Sequence, residues 1–150
     1  MPDDPTPDIN DLLRERAPEG IDLLIPPPCF TEMGAEVLSY TDGEALRVRF
    51  PAQHRYANPL GNMQGGFIIA AIDNTIGPLS YLVAPPSVTT QLNTTFMRPV
   101  TPRDEYIEVE ARLTDRTNQF LYFTATAYNT GGKELIRAYA THILLRMSRS

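Results

Sequence analysis

The stretch GGFIIAAIDNTIGPLSYLVA, Gly65 to Ala84, decides the fold. It is too long for a strand and apolar nearly all round, the pattern of a buried helix. It is about as long as a membrane span, but Asp73, Asn74, Pro78 and its glycines break the apolar run, so a core helix is expected. On either side the period falls to two. GAEVLSY (34–40), the turn Thr41-Asp42-Gly43 and EALRVRF (44–50) predict a hairpin, with Leu46, Val48 and Phe50 on one face and Arg47 and Arg49 on the other. Four strand-like runs follow the helix, at 88–97, 106–114, 119–128 and 134–146. Ile107, Val109, Ala111 and Leu113 alternate with Glu108, Glu110, Arg112 and Thr114; Leu121, Phe123, Ala125 and Ala127 share one face of the next run. One polar face per strand means antiparallel strands packed on one side. The expected fold is α+β, an antiparallel sheet of about five or six strands wrapped around one long central helix. One sheet cannot cover every side of such a helix, so a second copy is expected against it.

Residues 34–150 are expected to form this domain. Residues 1–33 are expected to be an extension, with an acidic, proline-rich and unstructured start at 1–7, a short helix from Asp8, and an extended segment IPPPCF (25–30). The acidic N-terminus lacks a basic region followed by an apolar one, so a signal peptide is not expected. The lone Cys29 excludes an intrachain disulfide and fits a reducing compartment; the cytoplasm is the expected setting. With a net charge of -5 and no long basic run, neither nucleic acid nor membrane is an expected partner. One cysteine and two distant histidines, His54 and His142, give no zinc-like spacing, so no metal is expected. Both histidines read as ordinary structural residues.

Asp73 is the only charged side chain between Arg55 and Arg98. A carboxylate removed from water needs a partner, and chemistry is a common reason to hold one there. At 100° per residue Gly66, Ile69, Ala70, Gly77 and Ser80 share its face. Upstream, Asn62 reads as the N-cap of the helix. The first-turn N–H groups at Gly65 and Gly66 have no partner inside the helix and carry the positive end of its dipole. Without side chains there, a ligand oxygen can reach the backbone; the two glycines can equally serve close helix–strand packing. Pro78 is expected to free the Asn74 carbonyl and kink the helix. Asn58, in Asn58-Pro59-Leu60-Gly61, reads by itself as a turn former.

The ordered string NPLGNMQGGFIIAAID (Asn58 to Asp73), followed by VTTQLNTTFMRP (Val88 to Pro99), resembles the hotdog-fold acyl-CoA thioesterases, in particular the phenylacetyl-CoA thioesterase (PaaI-like) branch. In element order the resemblance spans roughly residues 34–145, and the Asn-to-Asp block is its specific part. It implies that Asp73 is the catalytic carboxylate, as nucleophile or as base for water. Gly65 would supply the N–H that polarises the thioester carbonyl, Asn58 would orient the carbonyl or the water, and Thr89 would help position water. It implies a site between two subunits of a dimer or dimer of dimers, with Asp73 and Asn58 from different chains. The family most often has His where this chain has Gln64, which can donate an amide hydrogen bond but cannot titrate.

The implied reaction is hydrolysis of an acyl-CoA to free acid and CoA, with no cofactor beyond the CoA of the substrate. Phe67, Ile68, Tyr81, Leu121 and Phe123 are candidates to line an acyl slot, with core packing the favoured role for each, and Gly66 is a candidate substrate contact. Arg98, Arg103, Arg116 and Arg146 are candidates for the CoA phosphates. A non-catalytic acyl-CoA binding protein on the same fold is the alternative, motivated by Gln64. An enoyl-thioester hydratase ranks last, because no His–carboxylate pair is placed for it.

Overall fold

The structure, a computed structural model, describes residues 5–146. Of the segment expected to be unstructured, residues 1–4 lie outside that range, while the Thr6 hydroxyl donates to the Leu38 carbonyl at 3.3 Å. Helix α1 (Ile9–Arg16) is capped by Asp8, whose carboxylate accepts from the Asn10 N–H. The proline-rich segment is not extended throughout. Its second half turns into a short helix, α2 (Pro28–Glu32), with Pro28 in the first turn, where a missing N–H costs no hydrogen bond.

Strands β1 (Glu36–Thr41) and β2 (Ala45–Pro51) form the hairpin, closed by Gly43 at φ +71°. The long helix α3 runs from Gly65 to Val83, and β3 (Ser87–Phe96), β4 (Tyr106–Arg116), β5 (Phe120–Tyr128) and β6 (Glu134–Leu144) follow. The six strands form one antiparallel sheet in the order β1-β2-β4-β5-β6-β3. Only β4-β5-β6 is a meander. Strand β3 crosses the helix to the far edge, beside β6, so one of its sides is left without a neighbour.

The alternation read from sequence becomes the core. Leu46, Val48 and Phe50 of β2, Ile107 and Val109 of β4, and Leu121 and Phe123 of β5 are buried against Ile72, Ile76 and Leu79 of α3. At about 25 cal/mol per Å² of apolar surface, this layer is the main source of stability. Arg47 and Arg49 lie on the opposite face and clamp Glu108 at 2.7 and 2.8 Å. Part of the cover expected from a second copy comes from the chain itself. Ile9, Leu13 and Phe30 of the N-terminal extension join the core cluster. Arg16 ties α1 down, donating to the Leu82 carbonyl at 2.7 Å and pairing with Asp42 at 3.0 Å.

Helix α3 continues through Pro78 to Val83. Its N-cap is Gln64, not Asn62. The backbone is still extended at that point: Met63 bridges Ala57 and donates to the Val100 carbonyl, and the Gln64 N–H donates to the Tyr56 carbonyl at 2.7 Å. These non-helical bonds hold the chain open until Gly65.

Candidate active site

Asp73 lies at the middle of α3 and is exposed in the single chain, so the desolvated carboxylate expected from sequence is not found there. The apolar neighbours in sequence point to the sheet, and Asp73 points the other way. Its Oδ1 accepts from the Thr89 hydroxyl at 3.2 Å. Among the described residues it has no ion-pair partner. Thr89 reaches it because β3 carries a bulge. Thr89 pairs with His142 and Gln91 with Thr141, so Thr90 is the extra residue. One added residue reverses the alternation, placing Ser87 and Thr89 on the inner side together with Leu92.

Asp73 and Thr89 stand on the wall of a cavity of about 460 Å³. Gly77, Tyr81 and His142 contribute to it, and Leu23, Leu24 and Ile25 of the N-terminal extension form an apolar side. An added Cβ at Gly77 would meet nothing within 4 Å. Cys29, exposed and bonded through Sγ to the Asn74 side chain at 3.1 Å, also faces this cavity.

His142 is 2 % exposed. Its ring nitrogens meet the Ser87 hydroxyl at Nδ1 (3.0 Å) and the Thr89 hydroxyl at Nε2 (3.2 Å). Burial pushes its pKa below the ordinary histidine value, against the opposing pull of the Asp73 carboxylate, and so favours the uncharged ring. Sequence reading took His142 as an ordinary structural residue of a strand and missed that it touches the site. A titratable group on a buried face needs polar partners, which was the available signal.

The other candidate residues gather elsewhere. Asn58, Gly65, Phe96 and Arg98 line a separate groove of about 270 Å³ at the helix N-terminus. The Asn58 Oδ1 accepts from the N–H groups of Leu60 (3.0 Å) and Asn62 (3.1 Å), so the turn-forming reading is correct. That turn also fixes the amide, and its Nδ2 has no acceptor among the described residues. The Gly65 and Gly66 N–H groups likewise have none. A Cβ at Gly65 would lie 3.2 Å from the Phe96 ring, whereas one at Gly66 would meet nothing, so the two glycines serve close packing and access respectively. Gln64 is exposed and makes no side-chain cap bond.

Several candidates fall outside both places. Phe67 stacks on Tyr56 at 4.3 Å, and Leu121 and Phe123 are wholly inside the core, whereas Ile68, itself buried, borders the groove. Arg116 donates to the Val83 carbonyl at the opposite end of α3, where a cation suits the helix dipole. Arg98 is bonded to the Glu134 carbonyl at 2.8 Å and stays at the groove. Arg103 lies on the loop before β4 and Arg146 beyond β6. His54 begins a 3-10 turn that borders neither. Among the described residues, no three metal-ligating side chains come together.

Asp73 is eight residues on from Gly65, about 12 Å along the axis at 1.5 Å per residue. Carboxylate and helix terminus of one chain therefore do not meet at one carbonyl.

A family model described as the thioesterase superfamily matches residues 60–136, just over half of the chain. No match is found among curated proteins. Among solved structures, the chain is similar to the PaaI protein of the Escherichia coli phenylacetic acid degradation operon, with a TM-score of 0.75 and 14% identity, covering 83% of this chain and 89% of that one. It is also similar to a phenylacetic acid degradation-related protein of Ralstonia eutropha JMP134, with a TM-score of 0.74, 23% identity and coverage of 91% and 98%. A hypothetical thioesterase of Streptococcus pneumoniae TIGR4, solved with coenzyme A, has a TM-score of 0.70, 16% identity and coverage of 77% and 88%. These likenesses establish the hotdog architecture: one sheet wrapped on a central helix.

Proposed function

The chain belongs to the thioesterase superfamily, and from that premise we propose that it hydrolyses acyl-CoA thioesters at a site shared by two copies. The observation that carries this reading is the placement of Asp73. The only charged side chain of the core helix stands with Thr89 on the wall of a largely apolar cavity. At about 460 Å³ the cavity lies within the range of about 300–1,000 Å³ usual for small-molecule pockets. It suits an aryl or medium-chain acyl group.

The open β3 edge supports self-association as a dimer or dimer of dimers, with the groove at Asn58 and Gly65 of one copy facing Asp73 of the other. The Gly65 N–H then donates to the thioester carbonyl oxygen as it gains charge, and one such donor is worth about 3 kcal/mol. The Asn58 Nδ2 orients the carbonyl or the attacking water. Asp73 Oδ2 either takes a proton from a water that attacks the carbonyl carbon, so that the carbon–sulfur bond breaks and the free acid forms directly, or attacks the carbon itself, forming an acyl–Asp73 anhydride that water then cleaves to free acid and restored carboxylate; in both cases CoA leaves as thiolate. Arg98, which borders the groove, is the proposed partner of a CoA phosphate. CoA is part of the substrate, and no further cofactor is needed.

Thiol release from aryl, short, medium and long acyl-CoA, run beside Asp73→Asn, tests the reading. Turnover by the wild-type chain and its loss in the variant are expected; a variant as fast as wild type contradicts it. A non-catalytic acyl-CoA binder is the second reading, motivated by the non-titratable Gln64. It requires tight binding with CoA release no faster than in buffer.

A further inference from the structure

Behind the exposed carboxylate lies a line of hydroxyl and imidazole groups that runs from the exposed Thr89 to the buried His142 and Ser87. Ser87 is 4 % and His142 2 % exposed. Ser87 Oγ meets His142 Nδ1 at 3.0 Å, Thr89 Oγ1 meets His142 Nε2 at 3.2 Å, and the same Thr89 Oγ1 meets Asp73 Oδ1 at 3.2 Å. The Phe123 ring stands edge-on to the imidazole, 5.0 Å between centroids, and fixes its plane.

Proton counting gives this line a direction. An ionised carboxylate only accepts, so the single Thr89 proton must point at Asp73. The Thr89 oxygen must then accept from His142, which requires the proton on Nε2. A neutral imidazole protonated at Nε2 has its lone pair at Nδ1, so Ser87 must donate to it. Ser87 donates to His142, His142 to Thr89, and Thr89 to Asp73. In the other tautomer Nε2 takes the Thr89 proton, and two oxygens 3.2 Å apart face each other with no hydrogen between them.

We propose that His142 is a positioning residue for thioester hydrolysis: held in its Nε2–H form by Ser87, it locks the Thr89 hydroxyl onto Asp73 Oδ1 and leaves Oδ2 as the working oxygen. The proposal rests on the assignment of Asp73 as the catalytic carboxylate. It makes His142 part of the reaction although the ring transfers no proton. It also puts an imidazole in the site from the sheet side, in a chain whose residue before the double glycine is Gln64.

The first test needs no variant of the network. The full chain, labelled with ¹⁵N-histidine, has two imidazoles, and His54→Ala identifies which signals are His142. Nitrogen shifts at neutral pH should show a protonated Nε2 and a bare Nδ1; a proton on Nδ1 overturns the proposal. The second test is kinetic. His142→Phe should lower kcat about tenfold with KM nearly unchanged, the scale of one oriented hydrogen bond. His142→Gln, whose amide can donate from the Nε2 position, should restore most of that loss. In a Thr89→Val background His142→Phe should add nothing, because the residue through which it acts is gone. Equal effects in both backgrounds, or wild-type kcat in His142→Phe, overturn the proposal. If His142→Phe does not fold, the tautomer and the Gln variant still decide: a Gln variant that folds and falls as far as Thr89→Val counts against the proposal. Wild-type turnover in Asp73→Asn would remove the underlying assignment and the proposal with it. An inactive Asp73→Asn beside an additive Thr89/His142 cycle would remove the proposal alone.

Discussion

Gly65→Pro deletes the proposed oxyanion donor with little change to the backbone. Proline has no N–H and suits the first helical position, where no intrahelical bond is lost. It also demands an extended residue before it, and Gln64 already has φ -59° and ψ 134°. The Gly65 N–H has no acceptor among the described residues, so no folded-state bond disappears. The added Cβ falls 3.2 Å from the Phe96 ring, but Phe96 is 48 % exposed and can turn aside. Stability should therefore change by less than about 1 kcal/mol. Turnover should not survive so well: loss of one oxyanion donor costs about 10²–10³ in kcat, roughly 3–4 kcal/mol. Gly65→Ala is the control, because it places the same Cβ against Phe96 and keeps the N–H. Thiol release under saturating acyl-CoA measures kcat, and urea unfolding of both variants reports the fold. If the Pro and Ala variants turn over within about threefold of each other, under 1 kcal/mol, the N–H is not a transition-state donor and the reasoning fails.

Four other outcomes follow from the geometry. Asn58→Asp keeps the turn-closing oxygen but loses the Nδ2 donor, so unfolding midpoints should hold while kcat falls about tenfold or more; equal activity would leave Asn58 only its turn role. Gly77→Ala should raise stability by about 0.5–1 kcal/mol, since alanine favours helix and its Cβ meets nothing, while Gly77→Phe should fill the cavity and raise KM most for the longest acyl chains. Alkylation of Cys29 by a bulky thiol reagent should be slowed by bound acyl-CoA, read by mass spectrometry; no protection at saturation would move the acyl group elsewhere. Burial depresses the His142 pKa, so the unfolded chain binds more protons as pH falls below about 6.5. The stability that His142 contributes is full above that pH and is lost as pH falls toward the folded value; urea midpoints should show this decline in wild type and a shallower one in His142→Gln.

Local patterns carried most of the fold. Alternation placed β2, β4 and β5 with their buried faces correct, because a period of two admits only one buried side. The neighbour relations were not legible: β3 follows α3 in sequence yet pairs with β6, since long-range pairing leaves no local mark. Nor could the helix start be read from capping preference, because Met63 and Gln64 are held open by bonds to Val100 and Tyr56. At the site, helical spacing isolated Asp73, and the resemblance added Thr89, which does touch it. Two features escaped. The bulge at Thr90 sets which β3 side chains face inward, and alternation cannot foresee an extra residue. The apolar wall from Leu23 to Ile25 comes from the extension, whose proline-rich sequence has no period to read.

Subunit complementation measures the shared site most directly. Asp73→Asn and Gly65→Pro, each inactive alone, are mixed under conditions that exchange protomers. If Asp73 of one chain works with Gly65 of the other, each mixed dimer holds one intact site, and statistical exchange in a two-fold dimer returns about a quarter of wild-type activity. If both groups serve the same chain's site, every site carries a lesion, and a mixture as silent as its parents contradicts the account.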